Sequence, residues 1–151
     1  SSLRLDSRND AIRLEEVGYI AGKANFTDIQ IDRLFESTDM DLLYGELDIS
    51  NVMASFSRIR INGRTADVQL NFDPTSNFSL DIFGREERII LPSAMSGLRS
   101  EEDDDDDKNV RVTGVYGEGS GAKSVDVEVD NGDIIITLEE AVPYTTKQRN
   151  D

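Results

Sequence analysis

Residues 44–49 read Tyr44-Gly45-Glu46-Leu47-Asp48-Ile49, and residues 131–136 read Asn131-Gly132-Asp133-Ile134-Ile135-Ile136. Both stretches place a glycine and an acidic residue before a run with apolar residues at every second position. This alternation has the period of a β-strand, whose successive side chains point to opposite faces. Glycine suits the preceding turn because it adopts positive φ without a steric penalty. The pattern therefore predicts a tight turn followed by a short strand.

Related apolar segments recur along most of the chain, as Ile12-Leu14-Val17, Ile29-Ile31-Leu34, Leu47-Ile49-Val52, Val68-Leu70, Ile89-Leu91 and Ile134-Ile136-Leu138. Their first residues are separated by 17, 18, 21, 21 and 45 positions. A second alternating run precedes most of them, as in Ile59-Ile61 and Leu80-Ile82, and residues 61–64 align with residues 82–85 at the same offset of 21. Recurrence at 17 to 21 residues indicates stacked structural units.

The chain is therefore predicted to be all-β, as a parallel β-solenoid of about six short coils. The main alternative is an antiparallel β-sandwich, which also has short strands at regular spacing. The shared register between copies favours the solenoid, in which equivalent residues stack along one axis. One domain is expected over residues 1–141, followed by a frayed polar tail at 142–151.

Two regions depart from the pattern. The run Glu101 to Asp107 holds seven consecutive acidic residues, which repel one another and predict a solvated loop at 99–108. Beyond it, apolar residues at 110–115 and 125–129 flank the Gly-rich residues 117–121. This arrangement predicts a hairpin-like last coil.

Composition excludes several functions. The net charge of −15 and the pI of about 4.3 disfavour nucleic-acid binding, which requires a basic surface, and no apolar run is long enough for membrane insertion of this segment. The chain has no Cys and no His, so it lacks thiolate and imidazole chemistry. No catalytic residue and no cofactor is predicted. Because the sequence begins at Ser1 without Met, we expect that a signal peptide or lipid anchor has been removed.

The succession of a glycine turn and an alternating strand, in residues 25–31, 44–49 and 131–136, resembles bacterial adhesin domains, a family of otherwise unknown function in cell-envelope proteins. The resemblance extends from about Leu3 to Leu138. It implies a single-stranded right-handed β-helix, an exported location in the periplasm or at the cell surface, and no catalytic residues. Residues 64–67 and 85–88 depart from the family's tight turn.

Acidic side chains give two candidate sites. The run's Asp103, Asp105 and Asp107 are weak candidates for calcium binding, because hard cations prefer carboxylate oxygens, but an unbroken acidic run is more typical of a solvated loop. A corner ladder of Asp10, Asp28, Asp67 and Asp133 could bind a metal or form a glycosidase pair. Residues that cap their own turns are the simpler interpretation.

Aromatic and basic residues give the surface-binding candidates. Phe26, Tyr44, Phe56, Phe72, Phe78 and Phe83 are expected mainly in the core or at corners, with Phe83 pointing outward beside Ile82. The arginines are Arg58, Arg60, Arg64, Arg85 and Arg88; of these, Arg64 and Arg85 are the candidates for binding an acidic glycan. Pairing with neighbouring acids is their simpler role.

The sequence therefore favours a non-enzymatic cell-envelope module, an adhesin or assembly scaffold, whose partner is a protein or glycan at the cell surface. One alternative is a polysaccharide-active β-helix enzyme. The other is a scaffold solenoid that polymerises end to end.

Overall fold

A computed structural model describes residues 2–103, 106–117 and 123–139, with side chains described for all of these except residues 103 and 106–108. Most of the described residues belong to strands, and the described part of the chain contains one 3-10 turn, Glu86–Arg88, but no α-helix. The strands are β1 Ser2–Arg8, β2 Ala11–Asn25, β3 Asp28–Val52, β4 Arg58–Phe72, β5 Phe78–Arg85, β6 Ile89–Ile90, β7 Ser96–Asp103, β8 Asp106–Tyr116, β9 Ser124–Val129 and β10 Ile134–Thr137. The all-β prediction is confirmed.

The strands form one mixed sheet in the order β1-β2-β3-β4-β9-β5-β8-β7, with β10 between β4 and β6. Seven of the nine pairings between described strands are parallel, and those of β8 with β5 and β7 are antiparallel. The structure does not show a parallel β-helix, so a purely parallel stack was the wrong expectation. Only two residues separate β7 from β8, and so short a connection joins antiparallel strands.

The predicted alignment of apolar segments matches the observed pairing. Ile12 is the partner of Ile29, Leu47 is the partner of Val68, and Ile134 pairs with both Val68 and Ile89. Ile29, Leu47, Val68 and Ile134 lie in the core, against which the half-buried Ile12 and Ile89 pack. The core also includes the packed rings of Phe56, Phe72 and Phe78. A one-residue slip would move each apolar row to the opposite face, so burial fixes this register.

The last described part of the chain is placed out of sequence order. Residues 123–139, which we call the inserted segment, contain β9 and β10 and lie between β4 on one side and β5 and β6 on the other. The predicted hairpin-like last coil is therefore wrong, because β8 and β9 pair with opposite edges of β5. The inserted position buries Val125, Val127 and Val129 between two apolar rows, which a surface hairpin would leave half exposed.

The acidic run is also more ordered than predicted. Its described residues belong to β7 and β8, which pair as antiparallel strands, with Glu101 opposite Arg111. The expected loop at 99–108 is therefore strand over 99–103 and 106–108. Backbone hydrogen bonds hold this ladder, and an opposite charge across the strands offsets part of the repulsion. The predicted tail at 142–151 lies outside the described residues.

Candidate binding site at an aromatic corner

The strands bend at a row of corners with left-handed backbone. Arg8, Asn25, Leu43 and Arg64 are successive partners across the first four strands. The residue after each of them has positive φ, namely Asn9 at 60°, Phe26 at 53°, Tyr44 at 59° and Thr65 at 51°. Asparagine tolerates this conformation, whereas a bulky residue adopts it at a steric cost. Two of the four corners therefore carry aromatic residues where a smaller residue would be less strained.

Close packing of neighbouring backbones makes these corners tight. A Cβ atom on Gly45 would lie 2.1 Å from the carbonyl oxygen of Thr27, and a Cβ atom on Gly132 would lie 1.8 Å from that of Ala66. Real side chains do not approach that closely, so both positions require glycine. The glycines that mark the pattern in the sequence thus let these two corners pack directly against the backbones of Thr27 and Ala66.

Phe26 and Tyr44 form a stacked aromatic pair on this corner. Their ring centroids lie 4.9 Å apart with an interplanar angle of 15°. The two residues remain 53% and 46% exposed, respectively. Stacking contributes about 0.5–1.5 kcal/mol to stability, but it leaves one apolar face of the pair exposed to water. Such a surface is typical of a binding platform.

A row of carboxylates lies beside the corners. Asp28, Glu46 and Asp67 come two residues after Phe26, Tyr44 and Thr65, and Asp133 directly follows Gly132, which also has positive φ. Glu46 is the partner of Asp67, and the backbone N–H of Asp133 donates to Asp67 Oδ1 at 2.8 Å. At the end of the row, Arg88 Nε donates to Asp133 Oδ1 at 2.7 Å. The row therefore presents three consecutive acids before it meets a cation.

The sequence predicted this ladder with one wrong member and one omission. Asp10 does not belong to it, because Ala11 is the partner of Asp28; the Asp10 carboxylate instead accepts a hydrogen bond from Ser7 Oγ at 2.5 Å. Glu46 was missed, although its alignment with Asp133 in the glycine pattern was the signal for it.

The carboxylates repel one another at Glu46. Burial raises the pKa of Glu46 above its ordinary value of 4.5, and the charges of Asp28, Asp67 and Asp48 raise this pKa further. A shallow depression lined by Glu46, Asp48, Asp67 and Asp133 lies beside the row. The surface next to the aromatic pair therefore favours a positively charged group, which would relieve this repulsion.

Of the surface candidates from the sequence, Arg64 lies on the row of corners as the partner of Leu43, whereas Phe83 and Arg85 belong to β5. Phe83 is half-buried, with the guanidinium carbon of Arg111 5.4 Å from the centre of its ring. Arg64 is exposed and Arg85 is half-buried. The inserted segment separates β4 from β5, and Asp130, whose N–H donates to the Gly63 carbonyl at 3.1 Å, follows β9 there. The structure therefore does not gather Phe83, Arg64 and Arg85 into one site.

The calcium candidates fall outside what can be described. Asp105 lies outside the described residues, as do the side chains of Asp103 and Asp107. Across the described ranges, no three acidic residues are grouped closely enough to hold a metal ion. The described residues also contain no helix long and apolar enough to cross a membrane.

Comparison with known proteins gives no relative. No protein-family model matches the chain, and neither a curated protein nor a solved structure is significantly similar to it. The resemblance to adhesin domains therefore stays a prediction, and the argument for function rests on the surface itself.

Proposed function

We propose that this chain is a non-enzymatic binding module that recognises a Lys/Arg-rich segment of a partner protein at the Phe26–Tyr44 corner. The exposed aromatic stack is the observation that carries the proposal. Both rings occupy strained backbone positions and neither is buried, so fold stability alone gives little reason for them. A cation over an exposed ring contributes about 0.5–1 kcal/mol, and the neighbouring carboxylates attract the same group.

The corner also suits a binding role through its shape. Neighbouring parallel strands lie about 4.8 Å apart, and Glu46 and Asp67 are partners on β3 and β4. Asp28, Glu46 and Asp67 then form a charged edge beside the rings. We place the module at the cell envelope as an adhesin or assembly scaffold, on the basis of the resemblance in its turn pattern.

Binding of a labelled peptide tests this function. The probe is an Arg/Gly peptide, compared with a Glu/Gly peptide of equal length and a neutral oligosaccharide, by fluorescence anisotropy. The double variant Phe26→Asn/Tyr44→Asn removes both rings and keeps a residue that tolerates positive φ. Loss of two exposed cation–π contacts is expected to weaken binding of the basic peptide about 5- to 30-fold.

Tyr19→Asn is the matched control, since Tyr19 is an exposed aromatic of β2 (37% exposed) away from the corner. Equal affinity of the double variant and the wild type would show that the basic peptide binds only through overall negative charge. Tighter binding of the oligosaccharide than of the basic peptide would indicate that the corner binds a glycan. Release of reducing ends from an acidic glycan would support the enzymatic alternative instead.

A further inference from the structure

The inserted segment lies between strands that could pair directly with each other if the segment were absent. Ser124 pairs with Arg58 on one side and with Ser79 on the other, while Ile134 pairs with Val68 and Ile89. Both flanking pairs are 21 residues apart. The directly paired strands β3 and β4 have the same offset, as in Ser37 and Arg58. The two walls of this gap, β4 and β5–β6, are thus in register to be neighbours, and we call the gap the acceptor groove.

Contacts within the acceptor groove, rather than chain connectivity, hold the inserted segment. Its buried apolar side chains are those of Val125, Val127, Val129, Ile134 and Ile136, each residue at most 2% exposed. Backbone bonds join its start to both walls: Ser124 N donates to the Ser57 carbonyl, and Ser79 N donates to the Lys123 carbonyl. A parallel ladder is made by backbone N–H and C=O groups, so a strand from another chain can form it as well as a strand from the same chain.

A polar clip holds the other end of the segment. The side-chain oxygen of Asn71 accepts hydrogen bonds from Thr137 Oγ1 at 2.7 Å and from Glu139 N at 2.8 Å, and its Nδ2 donates to the Glu139 carbonyl at 3.1 Å. All three bonds are made by a residue of β4. The groove therefore recognises the segment at both ends and along its apolar face, whichever copy of the chain supplies it.

We propose that the acceptor groove binds residues 123–139 of a second copy, so that two chains exchange their inserted segments in a reciprocal dimer. Every contact within the groove is preserved by the exchange, which is the condition for a low-cost swapped dimer. This inference is independent of the peptide site, because the exchange keeps Asp133 beside Asp67 whichever chain supplies it and leaves the Phe26–Tyr44 corner unchanged.

Cysteine cross-links test the exchange in the full chain, which has no native Cys. Asn62 in β4 and Glu128 in β9 are partners with exposed side chains, at a spacing that a disulfide can bridge. In Asn62→Cys/Glu128→Cys, the disulfide forms within one chain in a monomer and between chains in an exchanged dimer. The control Asp41→Cys/Asn62→Cys links β3 to β4, which the proposal keeps in one chain.

Both variants are unfolded, refolded at micromolar and at millimolar concentration, oxidised and run on a non-reducing denaturing gel. We expect the concentrated β4–β9 variant to give a covalent dimer and the β3–β4 control to stay a covalent monomer. Three outcomes would overturn the proposal: size-exclusion profiles of monomer at every concentration, a dimer with both cross-links inside one chain, or a dimer with both between chains. A dimer with both cross-links inside one chain would indicate pairing of strand edges. A dimer with both cross-links between chains would indicate exchange of a larger unit.

Discussion

Replacement of Tyr44 distinguishes the destabilisation caused by its backbone conformation from the stabilisation contributed by its ring. The residue has a φ of 59° and stacks on Phe26 at 4.9 Å. Left-handed backbone costs an L-residue about 1–2 kcal/mol, and asparagine is one of the few residues that adopt it readily. The stacked pair contributes about 0.5–1.5 kcal/mol. The two terms have opposite signs and comparable size.

Tyr44→Asn loses the stack and is relieved of the backbone cost, so its free energy of unfolding should stay within about 1 kcal/mol of the wild type. Tyr44→Ala also loses the stack but retains most of the strain. It should be less stable than Tyr44→Asn by about 1 kcal/mol, although both side chains are small. Few exposed positions distinguish these two residues by that margin.

Equilibrium unfolding in urea measures both variants, with the free energy taken from the midpoint and slope. Tyr19→Asn and Tyr19→Ala serve as controls, because Tyr19 is also exposed but lies within β2 and outside the positive-φ positions. At position 44 asparagine should be the better residue, and at position 19 it should have no such advantage. Equal stability of Tyr44→Asn and Tyr44→Ala would refute the strain argument and, with it, a main reason for assigning the rings to binding.

Three further predictions concern the corners and the acceptor groove. Gly132→Ala should prevent folding or cost more than about 3 kcal/mol, since the Cβ would lie 1.8 Å from a carbonyl oxygen and the φ of this residue is 153°. Circular dichroism against temperature measures the loss of stability, and a melting temperature like that of the wild type would contradict the packing. Glu46→Gln should stabilise the fold at neutral pH but should have no such effect well below pH 4.5. The pKa of Glu46 is raised in the folded state, so ionisation of Glu46 lowers the free energy of unfolding as pH rises from 4.5 through the folded pKa. Urea titrations across this pH range should show a smaller loss of unfolding free energy in the variant than in the wild type. Equal losses in the two proteins would be inconsistent with the repulsion. Asn71→Ala leaves the Thr137 and Glu139 groups without their clip and should cost about 1–3 kcal/mol; hydrogen exchange should rise first in β10, and uniform protection there would show that the clip is dispensable.

The sequence predicted the register of the apolar rows because only one face of each strand is buried. Ile12, Ile29 and Ile31 had to share the same side, and this constraint is visible in the spacing alone. The order of the strands in the sheet could not be predicted in the same way. An offset of 21 between residues 61 and 82 is the same whether the two strands touch or have Val127 between them, so the insertion could not be read from it.

The binding surface was only partly predictable for a related reason. The carboxylates lie at the turns, and the sequence predicted Asp28, Asp67 and Asp133 from that position but chose Asp10 in place of Glu46. Positive φ at Phe26 and Tyr44 leaves no mark in residue type, because aromatic residues normally avoid it. Phe83 appeared the better exposed ring, but the guanidinium of Arg111 lies over it.

The out-of-order position of β9 and β10 has a consequence for synthesis on the ribosome. A chain emerges N-terminus first at about 5–20 residues per second, so β5 is available about 3–10 s before residue 139. During that interval β4 and β5 are both present, and they share the offset that already joins β3 to β4. A nascent chain that pairs them directly forms a compact, register-matched trap, which must reopen before the last strands can enter. We expect such a chain to reach the native fold in two stages, the second of which is limited by that reopening.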